Sequence, residues 1–391
     1  MKLFNLKQLI LFSLFFVLTS HQVFSQEKTI ELTGIIMDET PMTLPYVAIG
    51  ISNKNIGTSS NEDGEFNLRI SDAELKDTLY VSYLGFNTYK TLVSDFIASE
   101  NKTITLTENV VSLEDIVLLP AKDYVLNALK NLKLNTLSSI HQTDFLYRRA
   151  ATEGGRAKFF VENYIKIKDR GPAYWMGRVE VSEIRKSADY RIWKREQWRH
   201  SITSMFEVNP LVPNDSQHRR NLKKFNWKKT GDSSYEGEDV VILTGSNPKK
   251  KWEKIILYIG LDSYKVYRIE RGSSLYIYKK HKSGRLYLSY YHNEWKFPKD
   301  QIPQKYWGTP AEHVHYRLEA FAYKVETDKK KIDVTEFGIE KDMGSIDLPY
   351  HKDFWSGLST PPETKFYKKI KTELEGLYGV PIQTQFNISN K

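Results

Sequence analysis

Alternation of apolar and polar residues with a period of two runs through most of this chain, the pattern of strands that turn one face to a core. In "TIELTGIIMDE" (residues 29–39) Ile30, Leu32 and Ile36 share a face. Phe66, Leu68 and Ile70 do so in "EFNLRI", and Leu79, Val81 and Tyr83 in "DTLYVSYLGF", where Gly85 interrupts the run. "YVAIGI", "TITLT" (103–107) and "LEDIVLLP" (113–120) complete the set. Asn61-Glu62-Asp63-Gly64 reads as a hairpin loop, with Asp tolerating a tight conformation and Gly taking positive φ without a steric cost. Short strands at this spacing predict a seven-stranded antiparallel β-sandwich over residues 27–119.

Beyond Pro120 the period changes once and then returns. In residues 121–135, Ala121, Val125, Ala128, Leu129 and Leu132 recur at helical spacing, which predicts one amphipathic helix. Longer alternating runs follow, as in "AKFFVENYIKIKDR", where Phe159, Val161, Ile165 and Ile167 lie on one side. Residues 120–391 therefore read as a larger antiparallel β-sheet domain with helical insertions, and the whole chain as mainly β. A Trp-, Arg- and His-rich stretch, 188–225, interrupts the meander and is broken at Pro210 and Pro213. A short helix is expected around residues 363–377, with Gly379 as its C-cap.

The first 25 residues change the picture from a bare fold to an exported one. Lys2 and Lys7 precede the apolar run "LILFSLFFVLT", and Val23 and Ser25 supply small residues for cleavage before Gln26. An apolar run of roughly 11 residues is short of the roughly 20 that span a bilayer, so it reads as a signal peptide. No cysteine occurs anywhere, which removes a lipid-anchored cysteine, disulfides, thiolate metal sites and cysteine catalysis together. The net charge of +9 includes clusters at 219–229 and 247–254. Export argues against nucleic acid as their partner and favours acidic envelope surfaces, or lysines that keep strand edges from aggregating.

Catalytic signatures are missing from the sequence. Neither His-x-x-Glu nor His-Glu-x-x-His occurs, and there is no Gly-x-Ser-x-Gly elbow and no phosphate loop. His141-Gln-Thr-Asp144 would present two ligands on one face only if helical. His313 and His315, two apart on a predicted strand, share a face and are the remaining metal candidates. The chain carries 24 Tyr, 19 Phe and 8 Trp. Aromatic faces suit a β core, and they also suit stacking on sugar rings or lipid.

The run "TGIIMDE … LPYVAIGISNKNIGTSSNEDGEFNL … DTLYVSYLGFNTYKT" resembles the carboxypeptidase-regulatory-like domain. Gly34, Leu44-Pro45, Ala48, Gly57-Thr58, Asn61-x-Asp63-Gly64-x-Phe66, Asp77-Thr78-Leu79 and Gly85-Phe86 carry the likeness, which covers about a quarter of the chain, from Ile30 to Leu118. The resemblance implies a transthyretin-like sandwich, no catalytic residues of its own, and an envelope protein of Gram-negative bacteria. For the second domain there is only a likeness of shape to the curved sheets of periplasmic lipoprotein carriers.

The resulting expectation is a non-enzymatic exported envelope protein, periplasmic or associated with the outer membrane. It would bind an envelope protein or a glycan or lipid ligand through the second domain, with the sandwich as accessory module and no cofactor. Trp193, Arg195, Trp198 and Arg199 are the expected ligand contacts, through stacking and anion pairing. The alternatives are a hydrolase of envelope peptides or glycans and a structural assembly factor of an outer-membrane complex.

Overall fold

The computed structural model describes residues 29–54, 56–109, 119–192, 202–213, 222–302, 313–335 and 343–390. Among the described residues, seven strands make up the N-terminal region: β1 (Ile30–Asp38), β2 (Ala48–Ile51), β3 (Gly57–Ser59), β4 (Glu65–Ile70), β5 (Thr78–Ser82), β6 (Tyr89–Leu92) and β7 (Thr103–Leu106). The strand expected at 113–120 lies, over 113–118, outside the described residues. They form two sheets, ordered β4-β1-β7 and β3-β2-β5-β6. Leu32, Ile36, Phe66 and Leu68 from the first sheet pack against Ile49, Ile51, Leu79 and Val81 from the second, so the alternation in the sequence is the sandwich core. Helix α1 (Val93–Ala98) contributes Val93 and Phe96 to it.

The sandwich is not antiparallel throughout as expected, since β7 pairs with β1 in parallel. Nor is Asn61–Gly64 the expected hairpin loop, because β3 pairs with β2 while β4 pairs with β1. The loop carries the chain from one sheet to the other. Asn61 Oδ1 accepts from the backbone N–H groups of Asp63 and Glu65, and Gly64 holds φ +78°. A Cβ on Gly64 would lie 2.7 Å from the Ile36 carbonyl oxygen, so the close crossing of the two sheets demands glycine.

The second region is a single ten-stranded sheet, antiparallel at every pairing. Its strands are β8 (His141–Glu153), β9 (Arg156–Asp169), β10 (Arg178–Lys186), β11 (Asn226–Tyr235), β12 (Glu238–Ser246), β13 (Lys254–Gly260), β14 (Val266–Arg271), β15 (Ser274–Lys280), β16 (Leu286–Pro298) and β17 (His313–Glu326). The order is β10-β9-β8-β17-β16-β15-β14-β13-β12-β11. The chain thus runs out to one edge at β10, crosses to the far edge at β11, and returns by hairpins until β17 closes beside β8.

Both faces of this sheet are covered. On one face α2 (Ala121–Asn135) lays down Tyr124, Val125, Ala128 and Leu132. There it joins the residues around α3 (Thr203–Glu207) and the side chains of Phe145, Phe159, Ile165, Ile167, Leu257 and Tyr276. The other face takes α4 (Lys352–Gly357), α5 (Lys365–Tyr378), α6 (Ile382–Ser389) and the sandwich. Thr364 caps α5 by accepting from the Tyr367 N–H, and Gly379 at φ +66° closes it. Tyr367, Ile370 and Leu374 repeat at i, i+3 and i+7 and are buried against Phe160. Strand β8 is consequently buried along all its length.

Candidate functional site

The sandwich sits on the large sheet through polar contacts made largely by the sheet-crossing loop. Glu62 pairs with Arg317 of β17 at 2.6 Å, Asp63 accepts from the Lys365 N–H that opens α5, and Asn61 Nδ2 donates to the Pro362 carbonyl. Arg69 donates to the Ser356 carbonyl, and the Gly85 N–H to the Ser234 carbonyl at 2.7 Å. Tyr46 stacks on Tyr290 with ring centroids 4.2 Å apart. Where this contact ends, a cleft of about 550 Å³ opens between the two regions.

The β2–β3 connection and the edges of β5 and β6 form one wall of the cleft, with Ser52, Asn53, Lys54, Thr58, Tyr80 and Lys90. The end of β15, the start of β16 and the end of β17 form the other, with Lys279 to Lys282, Tyr287, Tyr323 and Lys324. Lys279 lies on the face of β15 opposite Tyr276 and Tyr278, which point into the core under α2. Its Nζ donates to the Thr58 carbonyl and to Ser59 Oγ, at 3.2 and 2.9 Å, and so bridges the two walls. Burial pushes its ammonium down from the ordinary lysine value to about 7, opposed by the carboxylate of Glu236. Glu236 itself pairs with Lys280 at 3.1 Å. The cleft can hold an anion, and above about pH 7 it can present a neutral amine.

A second charged group is closed to solvent. Arg148 bonds Glu162 at 2.7 Å and Glu319 at 3.2 Å, all three being fully buried on the face under α5. Burial raises the Glu319 carboxyl despite Arg148 and Arg317. Burial also acts against the Glu162 carboxylate, yet Arg185 and Arg148 outweigh it and hold it below the usual range. Two buried carboxylates sharing one guanidinium beneath a helix have no opening for a glycoside, so this group is structural.

The sequence candidates fall apart in space. His313 stands exposed at the start of β17, opposite Pro298. His315 turns its Nε2 to Glu294 at 3.4 Å, and Arg317 also approaches that carboxylate, at 3.8 Å. A guanidinium thus occupies the cation's place beside this pair. Among the described residues no group of three His, Asp or Glu side chains is placed to hold a metal ion. His141 and Asp144 lie on a strand, not a helix, so their side chains point to opposite faces, and His141 faces Asp169 at 3.3 Å instead. Trp193, Arg195, Trp198 and Arg199 lie outside the described residues. The chain leading to them is fixed at the β8–β9 turn, where Tyr190 N–H bonds the Lys158 carbonyl and Ile192 N–H bonds Glu153. That turn is at the end of the strands away from the cleft. On the face under α2 the described residues leave a cavity of only about 30 Å³, beside His141, Asn209 and Tyr278.

The lysines of the cleft carry little signal in the sequence. Their one cue is the run Lys279-Lys280-His281-Lys282 at the end of a strand, while Lys90 and Lys324 join it only through the fold.

Fold and site define a two-region, mainly β protein whose distinguishing feature is a basic cleft between a sandwich and a broad antiparallel sheet. Residues 32–118 match the family described as CarboxypepD_reg-like domain, so the sandwich is a domain of that kind. No curated protein matches the chain. Among solved structures, a DUF1329 family protein from Desulfovibrio piger is 12% identical, over 55% of this chain and 95% of that one, with a TM-score of 0.25. A putative outer membrane lipoprotein-sorting protein domain from Vibrio parahaemolyticus is 8% identical, over 54% and 95%, with a TM-score of 0.27. LolA superfamily protein NE2245 from Nitrosomonas europaea is 10% identical, over 56% and 96%, with a TM-score of 0.24. No described helix is long and apolar enough to cross a membrane.

Proposed function

We propose that this chain is an exported, non-enzymatic binding protein of the cell envelope that holds a ligand in the cleft between its sandwich and its large sheet. The observation that carries this reading is the cleft itself: about 550 Å³ of space walled by both regions and bridged by Lys279. Binding sites favour such junctions, where two rigid bodies leave a concave gap lined by a few convergent polar groups. Among the described residues, the face under α2 is packed with the chain's own side chains, and the cavity beside His141 there holds about 30 Å³. The sandwich is then a wall of the site as well as an accessory module.

Trp193, Arg195, Trp198 and Arg199 are assigned a separate contact role on their residue types alone. Loss of binding to an envelope partner in a Trp193→Ala/Trp198→Ala variant is the expected sign of that role.

Hydrogen–deuterium exchange on the mature protein, with and without the dialysable small-molecule pool of an envelope extract, tests the cleft. Slowed exchange in both residues 52–58 and residues 279–289 is expected. Slowing confined to residues 188–225, or none, contradicts the assignment. Chemical consumption of a pool component by the protein would contradict the non-enzymatic part.

A further inference from the structure

We propose that the ligand of this cleft is an acidic oligosaccharide, its carboxylate or phosphate groups held by Lys90, Lys282 and Lys324 and its rings laid against Tyr80, Tyr287 and Tyr323. This rests on the reading of the cleft as the ligand site and adds the chemical class.

Charge is the first argument. Six lysines line the cleft, Lys54, Lys90, Lys279, Lys280, Lys282 and Lys324, against the single carboxylate of Glu236. Lys54 is taken up by Glu74 and Asp77, both at 2.7 Å, and Lys280 by Glu236. Lys90, Lys282 and Lys324 are exposed, and no carboxylate of the described residues lies within ion-pair distance of them. His281 adds no charge near neutrality, since burial and then Lys282 push its pKa down. Three cations converging on one concave space without internal partners raise the local concentration of a multiply charged anion.

The second argument is the character of the walls. Ile49 and Ile51 touch the cleft but are almost wholly buried in the sandwich core, and the aliphatic surface left, half-buried Ile56, Ala322 and Val325, is split between the two walls rather than forming one lane for an acyl chain. Beside it stand Ser52, Asn53, Thr58, the half-buried Tyr80 and Tyr287, and Tyr323, 39% exposed. Hydroxyl and amide groups beside aromatic faces are the chemistry that recognises a sugar, whose ring offers hydroxyls around its rim and C–H bonds on its faces.

Lys279 supports both arguments. It bridges the two walls, and among the described residues two of its three N–H groups are used by Thr58 and Ser59. An anion above it supplies the countercharge that burial withholds, so binding near neutral pH draws a proton onto this side chain.

Titration calorimetry on the mature chain tests the class, with four probes: trigalacturonate, a phosphorylated maltotriose, neutral maltotriose and a hexa-aspartate peptide. One or both acidic sugars should bind, and which of them does tells carboxylate from phosphate. Neutral maltotriose should bind at least about tenfold more weakly, and affinity should fall as salt rises. Lys282→Gln/Lys324→Gln should weaken acidic-sugar binding about tenfold or more, and comparison of two buffers near pH 7.5 should show proton uptake that Lys279→Met abolishes. Equal, salt-independent binding of neutral maltotriose, lost in Tyr287→Ala, would overturn the acidic class while leaving the cleft as the ligand site. Hexa-aspartate binding as tightly as the sugars would overturn the saccharide part. Absence of acidic-sugar binding, or binding indifferent to Lys282→Gln/Lys324→Gln, overturns the proposal. If residues 52–58 and 279–289 also stay unprotected in the exchange experiment, the cleft reading falls with it.

Discussion

At the scale of single residues, Lys279 gives the stability of this protein a pH dependence of definite sign. Its folded pKa, about 7, lies below its ordinary lysine value of 10.5 because the ammonium has lost water. Between those two values the unfolded chain holds a proton there more often than the folded one. Stability therefore rises with pH across that window, is penalised in full below it and no longer above it. Lys279→Met removes the titrating group, so urea denaturation followed from about pH 7 to about pH 10 should show a clearly smaller gain in midpoint than the parent. An equal gain in both proteins would mean the group titrates normally. Gly64 is the other decisive single residue. Gly64→Ala forces a side chain into a φ of +78° and against the Ile36 carbonyl, at a cost of about 1–3 kcal/mol. A melting temperature within a degree or so of the parent would show that the loop can re-route. The glycine was readable from "NEDG", but its purpose was not. A turn and a crossing between sheets ask for the same residues, and only the pairing partners of β3 and β4 tell them apart.

At the scale of elements, β8 shows how a strand can carry a buried arginine on each face, Arg148 on one and Arg149 over Phe159 on the other, and still be wholly buried. Phe145, Tyr147 and Ala151 face the core under α2, and Leu146, Arg148 and Ala150 face the helices and sandwich. The alternation in β9 was legible for the same reason: Phe159, Val161, Ile165 and Ile167 do share the α2 side. The opposite side was not legible, because Glu162 and Arg148 read as ordinary solvated residues until α5, over two hundred positions later in the chain, covers them. Helix α5 was legible as a short helix with its glycine stop, and the structure runs it from Lys365 to Tyr378 with Gly379 beyond. Burial makes the charges interdependent. Arg148→Met leaves Glu162 and Glu319 without their shared partner in a dry site, which should cost about 3–5 kcal/mol in chemical denaturation. With the guanidinium gone, the folded carboxyls have raised pKa values, so the deficit should shrink as pH falls toward about 5 and the groups take up protons. A deficit below about 1 kcal/mol, or one that grows on acidification, would mean that other cations, Arg185 and Lys371 among them, carry the neutralisation.

At the scale of the whole molecule, the two regions share more than a linker. Glu62, Asp63 and Asn61 pin the sandwich to β17 and α5, and Tyr46 inserts its ring among Tyr290, Phe321 and their neighbours. Neither region's sequence betrays this contact, since a loop rich in Asn, Asp and Gly needs no partner to explain its composition. The same loop that marks the sandwich as a recognisable domain is thus also the peg that sets the width of the cleft. The contact includes buried aromatic area and a nearly dry Arg317, whose side chain is 5% exposed. Removing the sandwich would strand that charge and uncover the rings, so the regions should unfold together, in one calorimetric transition. Tyr46→Ala combined with Glu62→Gln weakens the joint while leaving the sandwich core and the core under α2 untouched. In that variant the transition should split, with the sandwich melting first and acidic-sugar binding lost even where both regions remain folded. Two transitions in the parent, or full binding by the variant, would show that the cleft does not depend on this docking.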